Sequence, residues 1–346
     1  MHVRWKRAGL IIGVTLGCFL LAAAGWGLYL YQEVKETSSQ IYEPLERIPL
    51  TAADASLFGE ASVSEWERER PGIERLLNTV SMHSEGEDTQ DIEERTMRMN
   101  MTAVDEEAFT VLLMGVDERG KDRGRSDALI LMAVHPRKEA ITMIHIPRDT
   151  RTRIAGTEME DKINHAYAFG GTSLAVATVE GFLGIPVDYY IRINMEGFEE
   201  LVDLFGGVEV DNAWRFEYEG ITFAQGKLHL DGKEALAYSR MRKLDPRGDL
   251  GRNARQKQIL SALLEEGKSM QSLLKAQDML NVVEQNVKTN LTFEDMKQLF
   301  AYRTRFTRLE SDEIQGSGKM YNRIYYYVVS DKERRRIHDF LLLKLS

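Results

Sequence analysis

Arg240, Arg242, Arg247, Arg252 and Arg255 all fall within the stretch Tyr238–Gln256. Planar guanidinium forks gathered on one place suit phosphate oxygens held two at a time. The alternative is pairing with internal carboxylates, of which Asp245 and Asp249 are nearest in sequence. The flanks indicate direction. Asp231-Gly-Lys-Glu234 has the spacing of a capping box and predicts a short helix through Glu234–Tyr238. Pro246 and Gly248 enforce a turn, and Asp249 can cap a second helix. In that helix the apolar line Ile259, Leu260, Leu263 and Leu264 runs back at helical spacing to Gln256 and Arg252. Its core-facing side thus ends in an amide and a guanidinium, and an inward guanidinium must meet an anion because a buried unpaired charge is costly. Arg240 and Arg242, if extended beyond the first helix, project to a common side.

A second charged group sits at the ends of predicted strands. Phe109–Val116 is an almost unbroken apolar run, as in a buried strand, and stops at Asp117. A loop with Arg119, Lys121, Arg123 and Arg125 leads to Ser126-Asp127, and Ala128–His135 is the next strand. Pro136–Glu139 turns the chain into a third, Ala140–Ile146, which Pro147 stops before Arg148-Asp149. With His135 facing Ala140 in a hairpin, register counting sets Asp127 opposite Arg148. Asp117 leaves the preceding strand across the Asp127 loop. One edge of the sheet then carries two carboxylates and a guanidinium, where α/β sheets bind ligands.

The elements that must position these groups interleave. Asp161–Gly171 predicts a short helix closed by glycines, and Thr172 or Ser173 caps another that is apolar around much of its girth from Leu174 to Leu183. Asp188–Asn194 alternates as a strand, Glu196–Phe205 is helical, and Val208–Val210 is a short strand. Helices follow near Leu273–Gln285 and Phe293–Arg305, then a strand at Ile324–Val329 and a helix over Lys332–Leu345. The fold class is α/β, an αβα sandwich with a central mixed β-sheet flanked by helices. Gly316-Ser-Gly-Lys319 lacks the glycine spacing of a phosphate loop and reads as a turn. His145, His165 and His229 are not spaced as metal ligands.

A formal charge of −9 over 346 residues opposes nucleic-acid binding, which needs a basic face. The single cysteine, Cys18, excludes an intrachain disulfide. Arg4, Lys6 and Arg7 precede an uncharged run from Ala8 to Tyr31, long enough to cross a bilayer core of about 30 Å. The basic flank predicts a cytoplasmic N-terminus and an extracytoplasmic remainder. A signal peptide cleaved at Ala22-Ala-Ala24 is the alternative, but the apolar run continues past it, favouring an uncleaved anchor. The chain divides into a cytoplasmic tail (1–7), a transmembrane signal-anchor (8–31), an acidic extracytoplasmic spacer (32–106), a catalytic domain (107–265) and a C-terminal extension packed on it (266–346).

Leu113-Met-Gly-Val-Asp117, Gly124-Arg-Ser-Asp127, Ile146-Pro-Arg-Asp149 and Asp161-Lys-Ile-Asn164 occur in that order. Val202–Val208, Leu230–Arg240 and Asp249–Gln256 follow. Together these motifs resemble the LytR-CpsA-Psr family of membrane-anchored cell-envelope proteins, over about Phe109–Leu264. The resemblance implies transfer of a glycopolymer, such as wall teichoic acid, from a polyprenyl-pyrophosphate carrier held in an apolar pocket. The acceptor would be the C6 hydroxyl of peptidoglycan N-acetylmuramic acid. It implies Mg²⁺ on Asp117 and Asp127, and phosphate contacts from Arg148, Arg240, Arg242 and Arg252 with Gln256, Asp249 and Lys162 beside them. Such a reaction gains chiefly from positioning and charge neutralisation, and a carboxylate such as Asp249 or Asp127 could take the acceptor proton. The Leu174–Leu183 helix is either a wall of the lipid pocket or ordinary core. His145 and Ala128 depart from the family pattern, where serine and threonine are usual. The alternatives are a membrane-associated transcriptional regulator, and a non-catalytic binder or pyrophosphatase acting on the same lipid.

Overall fold

The structure is a computed structural model that describes residues 31–51, 57–58, 107–118, 123–242, 244–266, 276–302 and 305–346. The predicted membrane span, all but its last residue, and the loop residues Arg119 and Lys121 lie outside these. No helix of the described residues is long and apolar enough to cross a membrane.

Three apolar runs form the antiparallel meander β1 (Phe109–Val116), β2 (Ser126–His135) and β3 (Ala140–His145). The observed register pairs His135 with Ala140, as counting predicts. β6 (Tyr189–Asn194) lies parallel to β1 on its other side. Two strands absent from the sequence reading complete the sheet: β11 (Val287–Thr289) antiparallel to β6, and β12 (Arg308–Glu313) parallel to β3. Neither is apolar enough to announce itself, since each occupies an edge. The result is a six-stranded mixed sheet in the order β11-β6-β1-β2-β3-β12, an α/β architecture with helices against the sheet.

One sheet face presents Leu112, Met114, Leu129, Leu131 and Ile144 to the helices His165–Leu183 and Asp331–Leu345. Val176, Val179, Phe182 and Leu183 are almost wholly buried there, so the Leu174–Leu183 stretch is core packing, the second of the two readings given above. Burial of each such side chain contributes about 1.5–3 kcal/mol. The opposite face is looser: Leu113, Met132, Ile141, Tyr189 and Ile191 are only half-buried, against Leu299 and Phe306. A second core, around Val202, Phe216, Phe223, Tyr238 and Ile259, joins the helices Met195–Phe205, Gly232–Arg240 and Asp249–Glu266 to β7 (Val208–Asn212), β8 (Phe216–Tyr218), β9 (Ile221–Phe223) and β10 (Gly226–Leu230).

Local expectations differ at two places. Asp161 and Lys162 are not helical: Glu160–Lys162 is β5, paired with β4 (Arg151–Arg153), and the helix starts at His165. The predicted break is real, with Gly170 and Gly171 leaving helical geometry. Gly316–Lys319 does not form a turn; Ser317–Tyr321 is β13, paired with β14 (Ile324–Val328). Its glycines make room for rings, since a Cβ on Gly318 would lie 2.6 Å from Tyr325 and one on Gly316 2.6 Å from Tyr327.

Composition alone suggests a solvated spacer after the span, yet its described part docks on the domain. Residues 31–41 are helical with Ile41 buried, and Tyr42 bridges to Thr289. Arg47 donates to Glu180 at 2.9 Å and to the Val187 carbonyl at 2.8 Å. Phe58 stacks on His338. These described residues are therefore part of the fold rather than spacer; few of their contacts are apolar, so no periodicity marks them. Glu180 is nearly inaccessible, and removing Arg47 takes the charged partner from a buried carboxylate that otherwise accepts from the Val187 amide. Arg47→Ala is expected to lower unfolding free energy by roughly 2 kcal/mol, read as a lower urea midpoint with the m-value unchanged.

Candidate phosphate-binding site

The site grows from the β1–β2 junction. Gly115 pairs with Ala128 and Val116 with Ser126, so Asp127 is an extra residue in a bulge. Bulges re-aim side chains, and this one turns Asp127 to the sheet rim, where it accepts from Arg148 at 2.6 Å. The pair predicted by register counting is thus formed, with both side chains half-buried. Asp117 leaves β1 alongside, its amide bonded to the Arg125 carbonyl at 3.0 Å. Gly124 closes this loop at φ 66°, where a Cβ would lie 1.8 Å from the Asp117 carbonyl oxygen.

The arginine stretch supplies the other wall. Asp231 and Glu234 form the predicted capping box, and the helix runs Gly232–Arg240. Arg240 therefore sits in its last turn rather than in extended chain, and its guanidinium lies 3.8 Å from Asp117. Arg242 follows the cap residue Met241 and donates to Asp149. Lys162 pairs with the same carboxylate at 2.7 Å. Arg148 adds its field to Asp149, and it acts together with Arg240 on Tyr218. Asp117, Asp127, Arg148, Arg240, Arg242 and Lys162 thus meet at one rim. Asp149, which residue typing did not single out for the site, belongs to it, and it was legible as the neighbour of Arg148.

The remaining arginines divide. Arg255 is internal: it donates to Asp245 at 2.6 Å, to the Tyr238 carbonyl at 3.0 Å and to the Met241 carbonyl. Arg247 is exposed, 3.7 Å from the same Asp245. For these two the internal-carboxylate reading holds. Arg252 is buried, as its place on the helix predicts, and Gln256 is half-buried one turn on. Asp249 does not cap the helix but is its first residue, after Gly248, whose carbonyl accepts from the Arg252 amide. Its side chain lies outside the described residues. His145 is 4 % exposed, and burial, with Lys257 nearby, pushes its imidazole down to about 4.

Burial alone would raise the Asp149 carboxyl, but the Lys162 hydrogen bond and charge, with Arg242 and Arg148, hold it below its ordinary value. Two hard carboxylates, Asp117 and Asp127, on adjacent strand ends fit the donor set of Mg²⁺, which takes one or two carboxylates and completes its shell with phosphate oxygens and water. Among the described residues no cluster of three or more acids, histidines or cysteines surrounds a common point.

Because the Asp149 carboxyl is depressed, its contribution to stability is full above the unfolded value of about 4 and is lost as pH falls through the folded value. Asp149→Asn is expected to be less stable than wild type at pH 7 by about 3 kcal/mol, with the difference vanishing towards pH 2 in urea melts. Gly124→Ala is expected to displace Asp117 and cut activity at least tenfold while leaving the melting temperature within a few degrees, since the strain stays in one rim loop.

The match to the LytR_cpsA_psr family model covers residues 76–341. The polyisoprenyl-teichoic acid–peptidoglycan teichoic acid transferase TagU of Halalkalibacterium halodurans is 39% identical over 339 residues, 97% of either chain. The crystal structure of Bacillus subtilis TagU is 44% identical, covers 69% of this chain and 97% of its own, and superposes with a TM-score of 0.56. A structure of TagT bound to LIIa-WTA is 33% identical over 69% of this chain and 91% of its own, with a TM-score of 0.59. With motifs, fold and these likenesses in agreement, the chain belongs to the LytR_cpsA_psr family.

Proposed function

We propose that the protein is a phosphotransferase that moves a teichoic-acid-type glycopolymer from a polyprenyl-pyrophosphate carrier to peptidoglycan. The observation that carries this reading is the convergence of Arg148, Arg240, Arg242 and Lys162 with three carboxylates at one sheet rim. The teichoic acid transferase named among its relatives, and the relative bound to LIIa-WTA, support the substrate class. The half-buried apolar face of Leu113, Met132, Ile141 and Ile191 is the place for the prenyl tail. The stretch Ala8–Tyr31 is a single membrane anchor, and the catalytic domain works outside the cell.

In the proposed reaction the C6 hydroxyl oxygen of N-acetylmuramic acid attacks the phosphorus that carries the polymer. A P–O bond forms to the sugar, the P–O bond to the lipid phosphate breaks, and the lipid monophosphate leaves. Arg148, Arg240 and Arg242 exchange carboxylate partners for phosphate oxygens and neutralise charge on the transferring group. Mg²⁺ held by Asp117 and Asp127 would supply further neutralisation of the pyrophosphate. Asp149, with its depressed carboxyl, is a poor proton acceptor; its part is to order Lys162 and Arg242. The hydroxyl proton passes to another rim carboxylate.

The test uses full-length protein in detergent with a lipid-pyrophosphate glycopolymer, Mg²⁺ and peptidoglycan oligomers, and reads phosphodiester-linked product by mass. Wild type should form product, and Arg148→Ala and Arg240→Ala should each lose at least a hundredfold in kcat/KM. Polymer phosphate released into solution with lipid monophosphate, and no attachment to peptidoglycan, would replace the transferase by a pyrophosphatase.

A further inference from the structure

β13 and β14 form a two-stranded hairpin that joins neither the central sheet nor the second core. Its tip, Asn322-Arg323, has φ of 48° and 66°, the two-residue turn that matches strand twist and holds a hairpin stiff. All of Ser317–Tyr321 is exposed, and Met320, Tyr321 and Ile324 present large apolar surfaces to solvent at 63%, 37% and 48% exposure. Apolar side chains held this way on a rigid ribbon mark a contact surface.

The hairpin is fastened to the site. The Tyr327 amide donates to the Asp149 carbonyl at 2.8 Å, and Tyr327 bridges to Thr150. The Arg242 guanidinium lies 5.6 Å from the Tyr325 ring centre, Lys162 lies 5.8 Å from that of Tyr326, and Arg151 lies 4.6 Å from that of Tyr321. Tyr321 and Tyr326 meet edge to face at 5.9 Å. Side chains alternate along the two strands, so tyrosines face both sides of the ribbon, and Tyr321, Tyr325 and Tyr326 each lie beside a cation.

We propose that this hairpin is the subsite for the acceptor, an amino-sugar strand bearing peptide carboxylates. The proposal rests on the transferase reading above and names the half of the reaction that the arginine cluster leaves open. Flat aromatic rings pack against the C–H faces of sugar rings, and tyrosine adds a hydroxyl for hydrogen bonding. Gly316–Val328 carries Lys319 and Arg323 and no acidic residue in a chain of net charge −9, which suits peptide carboxylates. Position separates acceptor from donor. The root of the hairpin, Ile314 and Val329, belongs to the core on the helix-covered side of the sheet, whereas the half-buried apolar residues assigned to the lipid tail lie on the other side. An in-line displacement needs the attacking hydroxyl opposite the leaving lipid phosphate, and the hairpin occupies that side.

Two measurements on the full-length protein in detergent test this. In the transfer assay, Tyr321→Ala is expected to raise the acceptor KM about tenfold, equivalent to about 1.4 kcal/mol, with the donor KM unchanged; Tyr321→Phe, which keeps the ring, should stay near wild type. In calorimetry without donor, a peptidoglycan tetrasaccharide with its stem peptides should bind wild type and bind Tyr321→Ala at least fivefold more weakly. Weaker oligomer binding in the alanine variant supports the subsite even where no transfer is detected, so its failure and that of the transferase reading stay separate. Equal acceptor binding in both proteins, no binding to wild type, or a raised donor KM with acceptor binding unchanged would overturn it.

Discussion

The structure depends on compensating several partly desolvated cations at one sheet rim. Arg148, Lys162 and the pair Arg240 and Arg242 come from three segments, and each cation is met by an aspartate, Asp127, Asp117 or Asp149. Half-buried guanidinium groups cannot be brought this close without anions between them. The aspartates make this crowding of cations tolerable. In the proposed reaction a pyrophosphate would take over the guanidinium forks, which would leave Asp117 and Asp127 to a metal. On that proposal the charges that stabilise the rim are also the ones that would recognise the substrate.

This rim is held from three directions. The β1–β2 bulge and Gly124 set the carboxylates of Asp127 and Asp117. The capped helix Gly232–Arg240 delivers Arg240, and the Arg255–Asp245 pair locks the turn that follows. A Cβ on Gly251 would lie 1.9 Å from Asp245, so this lock also demands a glycine. From the C-terminus, β14 ties the Asp149 carbonyl to an aromatic ribbon. The protein thus spends three separate local devices on placing a few charged atoms.

Much of this was legible before any coordinates. The two-residue period of β2 and β3, pinned by Pro136–Glu139, set Asp127 against Arg148 because one slipped residue would turn the whole apolar set outward. The capping box fixed the helix that carries Arg240. What stayed hidden has a common cause: it depends on tertiary pairing rather than local pattern. β11 and β12 are edge strands with little apolar content, Asp161-Lys162 is drawn into a ladder by β4, and Arg47 finds a buried Glu180 far along the chain. Arg255 and Arg252 are alike in sequence, and only the position of Asp245 separates a structural cation from a candidate ligand contact.

The central claim, that the rim arginines hold a diphosphate, is tested most directly by ³¹P NMR of a short-chain prenyl pyrophosphate titrated with the full-length protein. Both phosphorus resonances should shift and saturate in wild type, and weaken steeply with added salt. In a protein carrying both Arg148→Ala and Arg240→Ala the shifts should disappear while the fold, read by circular dichroism, persists. Equal shifts in the wild type and the double variant would contradict the account.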